Sequence, residues 1–362
     1  MNFNKLNIYK NKTVVVTGHT GFKGSWLTQW LLILGAKVVG ISNSIPSKPS
    51  HFGSINLKNK IVNKKIDVRN LDSLKKNFKK YKPDYVFHLA AQAIVKKSFV
   101  DPIYTWHTNT IGTLNVLESL RELKKKCVVV IITSDKSYKN LEIKRGYKEN
   151  DLLGGTDPYS ASKAGAELVI QSHIQSFFPI KNTNIFVTVA RAGNVIGGGD
   201  WSDVRLIPDC IKSWSKNRSV TLRNPKSTRP WQHVLEAISG YLLLGSQLKK
   251  NKKLHGEVFN FGPNNNNDYS VLNVVKTMKK YWKKVSWKRI KSNEKKFYES
   301  SLLKLNSNKA RKKIKWRCIL TFSETMRMVT EWYKNFYTKP KNIITVDQIK
   351  EYEKLLKKRS IK

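Results

Sequence analysis

From Thr13 onward, short apolar runs alternate with longer stretches in which apolar residues recur every three or four positions. TVVVTG (13–18), KVVGIS (37–42), NKKIDV (63–68), DYVFHLAAQ (84–92), VVVIIT (128–133) and IFVTVARAGNV (185–195) read as strands. Between them, helical periodicity is expected from about Ser25 to Leu34, closed by Gly35. It returns over LDSLKKNFKKY (71–81), from Pro102 to Lys125, and in a long segment beginning near Pro158. Several strands are apolar at every position, as a sheet covered by helices on both faces requires.

This alternation predicts an α/β fold: a doubly wound, Rossmann-type parallel sheet. After Gly197 the pattern loosens into Gly-, Pro- and Trp-rich segments, with amphipathic helices near 235–248 and 270–284 and a loop at NNNN (264–267). The expected division is a dinucleotide-binding domain over 1–193 with a return segment near 232–260. A smaller α/β substrate lobe over 194–340 and a basic tail over 341–362 complete it. The tail reads either as a helix with a frayed end or as an anion-attracting arm.

TGHTGFKG sets Gly18, Gly21 and Gly24 between the first strand and the first helix. Glycine there permits a tight turn and close approach of backbone to a pyrophosphate, which the helix N-terminus then attracts. His19 and Lys23 lie inside the loop and either contact phosphate or face solvent. The second strand ends in ISNS (41–44), with neither an acid for ribose hydroxyls nor an arginine for a 2′-phosphate, so NAD and NADP are not separated there. Asp67 is either a partner for the adenine amino group or a helix N-terminal turn residue.

Two polar clusters interrupt the apolar pattern. The fifth strand stops abruptly in Thr133, Ser134, Asp135, Lys136, Ser137 and Tyr138. The long helix opens with Tyr159 and Lys163, whose spacing stacks them on one face. An ammonium beside a phenol is expected to lower the phenol's pKa, so that Tyr159 can take a proton from an alcohol while Ser134 hydrogen-bonds the same oxygen.

Composition changes little. The formal net charge is +43, but the basic residues are mostly lysines spread along the chain, which favours solvated faces and compositional drift over a nucleic-acid partner. A basic surface would also steer a nucleotide-bearing substrate inward. Cys127, Cys210 and Cys318 are odd in number and lack CxxC spacing, against a disulfide framework or a zinc site and in keeping with a reducing cytoplasm. No apolar run approaches the roughly 20 residues that span a bilayer, and no hydrophobic segment precedes the first strand as a signal peptide would.

TGHTGFKGSWL, FHLAAQAIVKKS, TSDKSY, GGTDPYSASKAGAEL, ARAGNVIGGGDWSDVRLIPD, RNPKSTRPWQHVLEAISGYLLL and FNFGP together resemble the extended short-chain dehydrogenase/reductase family, and within it the nucleotide-sugar 4,6-dehydratases of the CDP-glucose branch. The similarity runs from about residue 13 to 262. Beyond it the match is loose, with Trp282, Trp287 and Trp316 as anchors. Ser137 stands where the family commonly has Cys, and Phe99 where it commonly has Tyr.

The resemblance implies conversion of CDP-glucose to CDP-4-keto-6-deoxyglucose with NAD, by oxidation at C4, elimination across C5 and C6, and reduction at C6. Tyr159, Lys163 and Ser134 would serve the oxidation. Asp135 would be the acid in elimination, which needs a raised pKa. Lys136 stands where the dTDP-glucose enzymes carry a glutamate base. It either acts as a base, if held neutral, or positions substrate and stabilises the enolate, or is simply a solvated strand-end lysine. The family pattern further implies cofactor contacts at Gly18, Thr20, Gly21, Phe22, Lys23, Gly24, Asp67, Val68, Leu89, Ala90 and Ala91, as well as at Tyr159 and Lys163. Substrate contacts would fall at Gln92, Asn194, Arg205, Leu206, Pro208 and Arg229, and no metal is expected. His88 and Trp231 read as packing residues, and Asn109 as helix-distorting or cofactor-side. A homo-oligomer, dimer or tetramer, would pair the 102–125 helix with the one that carries Tyr159. The alternatives are a nucleotide-sugar 4-epimerase or decarboxylase, a dehydratase for another nucleotide sugar, and an NAD-sensing regulator. An epimerase has no need of Asp135, and a regulator would be expected to lose Tyr159 or Lys163.

Overall fold

The computed structural model describes residues 3–360 except 144, 204, 223, 264–268 and 290–302. The expected NNNN loop and the last two tail residues therefore lie outside the described residues. Seven parallel strands form the central sheet: β1 (Thr13–Thr17), β2 (Lys37–Ser42), β3 (Val62–Lys65), β4 (Tyr85–His88), β5 (Cys127–Ile132), β6 (Ile185–Ala192) and β7 (Val258–Phe261). Their order across the sheet is β3-β2-β1-β4-β5-β6-β7. The order in which strands are added reverses between β1 and β4, which pair in parallel from Val14 with Tyr85 to Thr17 with His88. Such a reversal opens a crevice beyond the C-terminal strand ends.

Successive side chains of a strand point to opposite faces, and both faces here are covered. Val14, Val16, Phe87, Val128 and Val130 pack into one core with α1 (Phe22–Ile33) and the long helix Val234–Lys250. Val15, Val86, Val129, Ile131 and Val187 pack into the other, against α2 (Leu71–Tyr81), α3 and α4. Helix α3 runs from Pro102–Trp106 through a π turn, His107–Ile111, into Gly112–Arg121. Helix α4 is Pro158–Phe177, with Asp157 as its N-cap. Helix Val234–Lys250 packs on the sheet, and β7 then adds to its edge in parallel with β6.

Some boundaries move. α1 begins three residues earlier than the apolar periodicity indicates, because Gly21 already serves as its N-cap. The fourth strand stops at His88, and the sixth breaks after Ala192 into a short strand, Val195–Ile196, paired with Gln232–His233. The tail is a docked helix rather than a free arm: Thr345–Ser360 buries Ile349, Tyr352 and Leu356 and leaves Lys350, Lys354, Lys357 and Lys358 exposed. Trp282 and Trp316 are buried anchors, as expected, while Trp287 is half-buried.

Candidate active site

The loop after β1 is built for close backbone approach. Gly18 has φ +76°, and a Cβ there would lie 2.7 Å from the Ala90 nitrogen, so β1 passes directly against the Leu89–Ala90 segment. A Cβ on Gly24 would fall 2.1 Å from the Gly18 carbonyl. Because Gly21 caps α1 without a side chain, no side-chain cap competes for the amides of the first turn, Phe22 and Lys23 among them. An uncapped helix start behind a side-chain-free turn fits a dinucleotide pyrophosphate. Thr20 is already committed, its hydroxyl donating to the Ser44 carbonyl at 2.6 Å. His19 faces neither phosphate nor solvent: it is buried between Asn63 (2.7 Å) and Ser42 (3.0 Å).

At the far end of the crevice, Asp67 opens the turn that leads into α2, its carbonyl accepting from the Asn70 amide at 3.0 Å. Its carboxylate accepts from the Arg69 amide and Nε, from Arg69 Nη2 at 2.8 Å and from Asn43 Nδ2 at 3.1 Å. This arginine fork holds the Asp67 pKa down to about 2. The carboxylate is saturated within the protein, and the cap of α2 is Asn70 instead. Arg69 also lies over the Tyr104 ring at 4.6 Å. Val68 is a core residue. Leu89, Ala90 and Ala91 are half-buried along the crevice.

β5 delivers the reactive cluster. Ser134 caps a single 3₁₀ turn, Asp135–Ser137; its hydroxyl accepts from the Lys136 amide at 3.2 Å and donates to Asp135 Oδ1 at 3.0 Å. Ser134, Asp135, Tyr159 and Lys163 are all at least nine-tenths buried, and Lys136 is half-buried. Burial pushes the Asp135 carboxyl up, opposed by the nearby Lys136 and Lys23 and by the Ser134 hydrogen bond. An acid that keeps its proton more readily than usual suits the role expected of it. The Tyr159 pKa is raised rather than lowered: burial dominates, Asp135 and Asp157 add to it, and the Ser134 hydroxyl and Arg205 offset only part of it. Lys163 itself is held down to about 8 by burial and by Lys23. Lys23, half-buried, is likewise lowered to about 8, by burial and then by Arg205, against Asp135 and Asp200. It thus faces the reactive cluster.

The other expected substrate residues divide. The Asp200 carboxylate holds Arg205 at 2.9 Å, while its carbonyl accepts from the Tyr333 hydroxyl at 2.5 Å. The charges of Lys23 and Tyr159 both feel Arg205, so it belongs to the cluster. Asn194 is exposed just past β6, Leu206 half-buried and Pro208 buried in helix Leu206–Ser215. Gln92 is spent on its own loop: its amide donates to Ile94 O and Thr105 Oγ1 and accepts from the Ile94 amide. Arg229 donates to the Ser227 hydroxyl and to the Thr228 carbonyl beside it. His88 is a core histidine, satisfied by Thr17 (2.7 Å) and Thr113 (3.1 Å). Trp231 packs, donating to the Tyr269 carbonyl. Asn109 sits in the π turn and ties Gln92 to Ser162, one turn above Tyr159. Among the described residues no group of His, Cys, Asp and Glu could hold a metal, and no helix is long and apolar enough to cross a membrane.

An uncapped glycine turn beside a Tyr–Lys helix at the C-terminal ends of a parallel sheet, with a buried acid next to them, is the arrangement of the short-chain dehydrogenase/reductase fold. The chain belongs to the GDP-mannose 4,6 dehydratase family, whose model matches residues 15–329. Among characterised relatives, the CDP-glucose 4,6-dehydratase of Salmonella typhimurium is 41% identical over 332 residues, 91% of this chain and 92% of the relative. The fold is shared with an epimerase of Methanothermobacter thermautotrophicus (TM-score 0.78, 22% identity, 93% of this chain and 96% of that one). It is also shared with a UDP-glucuronic acid 4-epimerase of Bacillus cereus, solved in complex with UDP-glucuronic acid and NAD (TM-score 0.74, 23% identity, 90% of this chain and 100% of that one).

Proposed function

We propose that the chain converts CDP-glucose to CDP-4-keto-6-deoxyglucose with loss of water. The observation that carries this reading is the buried carboxyl of Asp135, its pKa raised, set beside the hydroxyls of Ser134 and Tyr159. NAD, when bound, supplies reversible oxidation at the sugar. Gly18, Gly21, Gly24 and the amides of Phe22 and Lys23 would hold its pyrophosphate, with Leu89, Ala90 and Ala91 along its length.

Tyr159 takes the proton of the sugar 4-hydroxyl, and Ser134 shares that oxygen through its hydrogen bond. Burial, with Asp135 and Asp157, favours the protonated phenol. Lys163, one helical turn away, supplies the positive charge that a phenolate needs. Asp135 keeps its proton by virtue of burial and gives it to the departing 6-hydroxyl. Lys136, adjacent in the turn, faces the step in which the C5 proton is lost. Arg205, steadied by Asp200, and Asn194 line the path to the nucleotide. An epimerase on the same fold requires Tyr159 and Lys163 but gives Asp135 no task, which is why dehydration is preferred.

The test is incubation of the pure protein with NAD and CDP-glucose, with dTDP-, UDP- and GDP-sugars in parallel, and detection of the alkali-induced absorbance of a 4-keto-6-deoxy sugar. Product from CDP-glucose is expected. Product from another nucleotide sugar alone, or a 4-epimer without loss of water, would overturn the reading.

A further inference from the structure

Directly beneath the reactive turn lies an ion pair for which the proposed chemistry has no use. Glu167 and Arg191 are almost entirely inaccessible, at 0% and 1%. Arg191 Nε donates to Glu167 Oε1 at 2.7 Å and its Nη2 to Oε2 at 3.0 Å. The Thr133 hydroxyl donates to the same Oε1 at 2.6 Å. The third arginine nitrogen, Nη1, donates to the Glu149 carbonyl at 3.0 Å, and the guanidinium lies over the Tyr138 ring at 4.6 Å.

The placement is specific. Glu167 follows Lys163 by one helical turn and Tyr159 by two, so it shares their face of α4. Thr133 immediately precedes Ser134, and Tyr138 immediately follows the turn, which the Ser137 hydroxyl closes by donating to the Ser134 carbonyl at 2.6 Å. Arg191 anchors the pair to β6. Removing one partner of a buried pair leaves an unpaired charge, so this arrangement has one geometry available to it. Resting on the dehydratase reading, we infer that Glu167, fixed by Arg191, is a positioning residue. It sets the Ser134–Asp135–Lys136 turn at its working distance from Tyr159 and Lys163, and so couples the oxidation groups to the elimination groups. Glu167 also favours the charged form of Lys163, against the opposing effect of burial.

Thr133→Val deletes the shorter of the two hydrogen bonds that this segment gives Glu167, leaving the one from the Ser137 hydroxyl at 3.5 Å, and keeps the shape; Glu167→Gln deletes the charge. Three measurements decide. In the cofactor-free protein, amide hydrogen exchange over 134–138 is expected to accelerate roughly tenfold in Thr133→Val, the scale of losing one hydrogen bond to a charged group. With NAD and CDP-glucose, kcat is expected to fall by about the same factor at unchanged KM. Absorbance of the bound, reduced cofactor should build up in a single turnover, because oxidation then outruns elimination. The inference is overturned if exchange over 134–138 is unchanged, or if the variants lower only the melting temperature and leave kcat and the single-turnover absorbance as in the wild type. A wild type inactive on CDP-glucose would instead sink the dehydratase reading, and the exchange measurement would still decide whether Glu167 holds the turn.

Discussion

Replacing Lys163 by Met should stabilise the cofactor-free protein while abolishing turnover. Lys163 is 6% exposed, and burial together with the neighbouring Lys23 holds its pKa down to about 8 from an ordinary 10.5. That difference of about 2.5 units corresponds to roughly 3 kcal/mol by which the folded state disfavours the ammonium. Below pH 8 the lysine is charged in both the folded and the unfolded chain, so the whole cost is present. Between about pH 8 and 10.5 the folded chain sheds its proton first, and the cost shrinks. Above 10.5 it is gone. Methionine keeps most of the stem's apolar contact without the charge. Urea unfolding at pH 7 should therefore show Lys163→Met more stable by about 3 kcal/mol, and at pH 10 by only about 1 kcal/mol. A residue whose removal helps the fold and ruins the chemistry is one kept for function. Equal stability at pH 7, or a gap that does not narrow by pH 10, would refute the reasoning.

Lys136→Met should leave oxidation at C4 intact but slow incorporation of solvent deuterium at C5, read by mass spectrometry of the product. Unchanged incorporation would remove Lys136 from that step. The outer faces of Val95–Val100, α3 and α4 expose Phe99, Val100, Ile103, Trp106, Ile111 and Leu168, a stripe suited to a second copy of this chain. Light scattering should report a dimer or larger, and Ile103→Glu with Trp106→Glu should halve the mass. A wild-type monomer would contradict this.

The sheet and the glycine turn were legible because both rest on local rules. Short β-branched apolar runs such as VVVIIT fit strands buried on both faces, and glycine spacing reports backbone geometry directly. What escaped depends on partners distant in sequence. Asp67 reads as an adenine partner until Arg69 closes its fork around it. The Tyr159 phenol reads as activated by Lys163 until the depth of its burial is known. Gln92 reads as a substrate contact until its amide is found bonded to Ile94 and Thr105. Glu167 carried a visible signal, an acid at the third position of the Tyr159–Lys163 face, but Arg191 lies on another strand and only the fold joins them.

The helix Thr345–Ser360 has a consequence for how the molecule is completed. The Trp30 indole of α1 donates to Glu353 at 2.8 Å, across 323 residues of sequence. The Tyr352 hydroxyl donates at 2.6 Å to Glu236, a buried carboxylate that also caps the Ile319 and Leu320 amides. Thr345 meets His51 at 3.0 Å; His51 meets Ser25 at 2.8 Å, and Ser25 donates to the Phe22 carbonyl in the first turn of α1. The helix that would receive the pyrophosphate is therefore braced by a segment 323 residues downstream of it. During synthesis, the crevice that forms early in sequence waits for that distant segment before it becomes rigid.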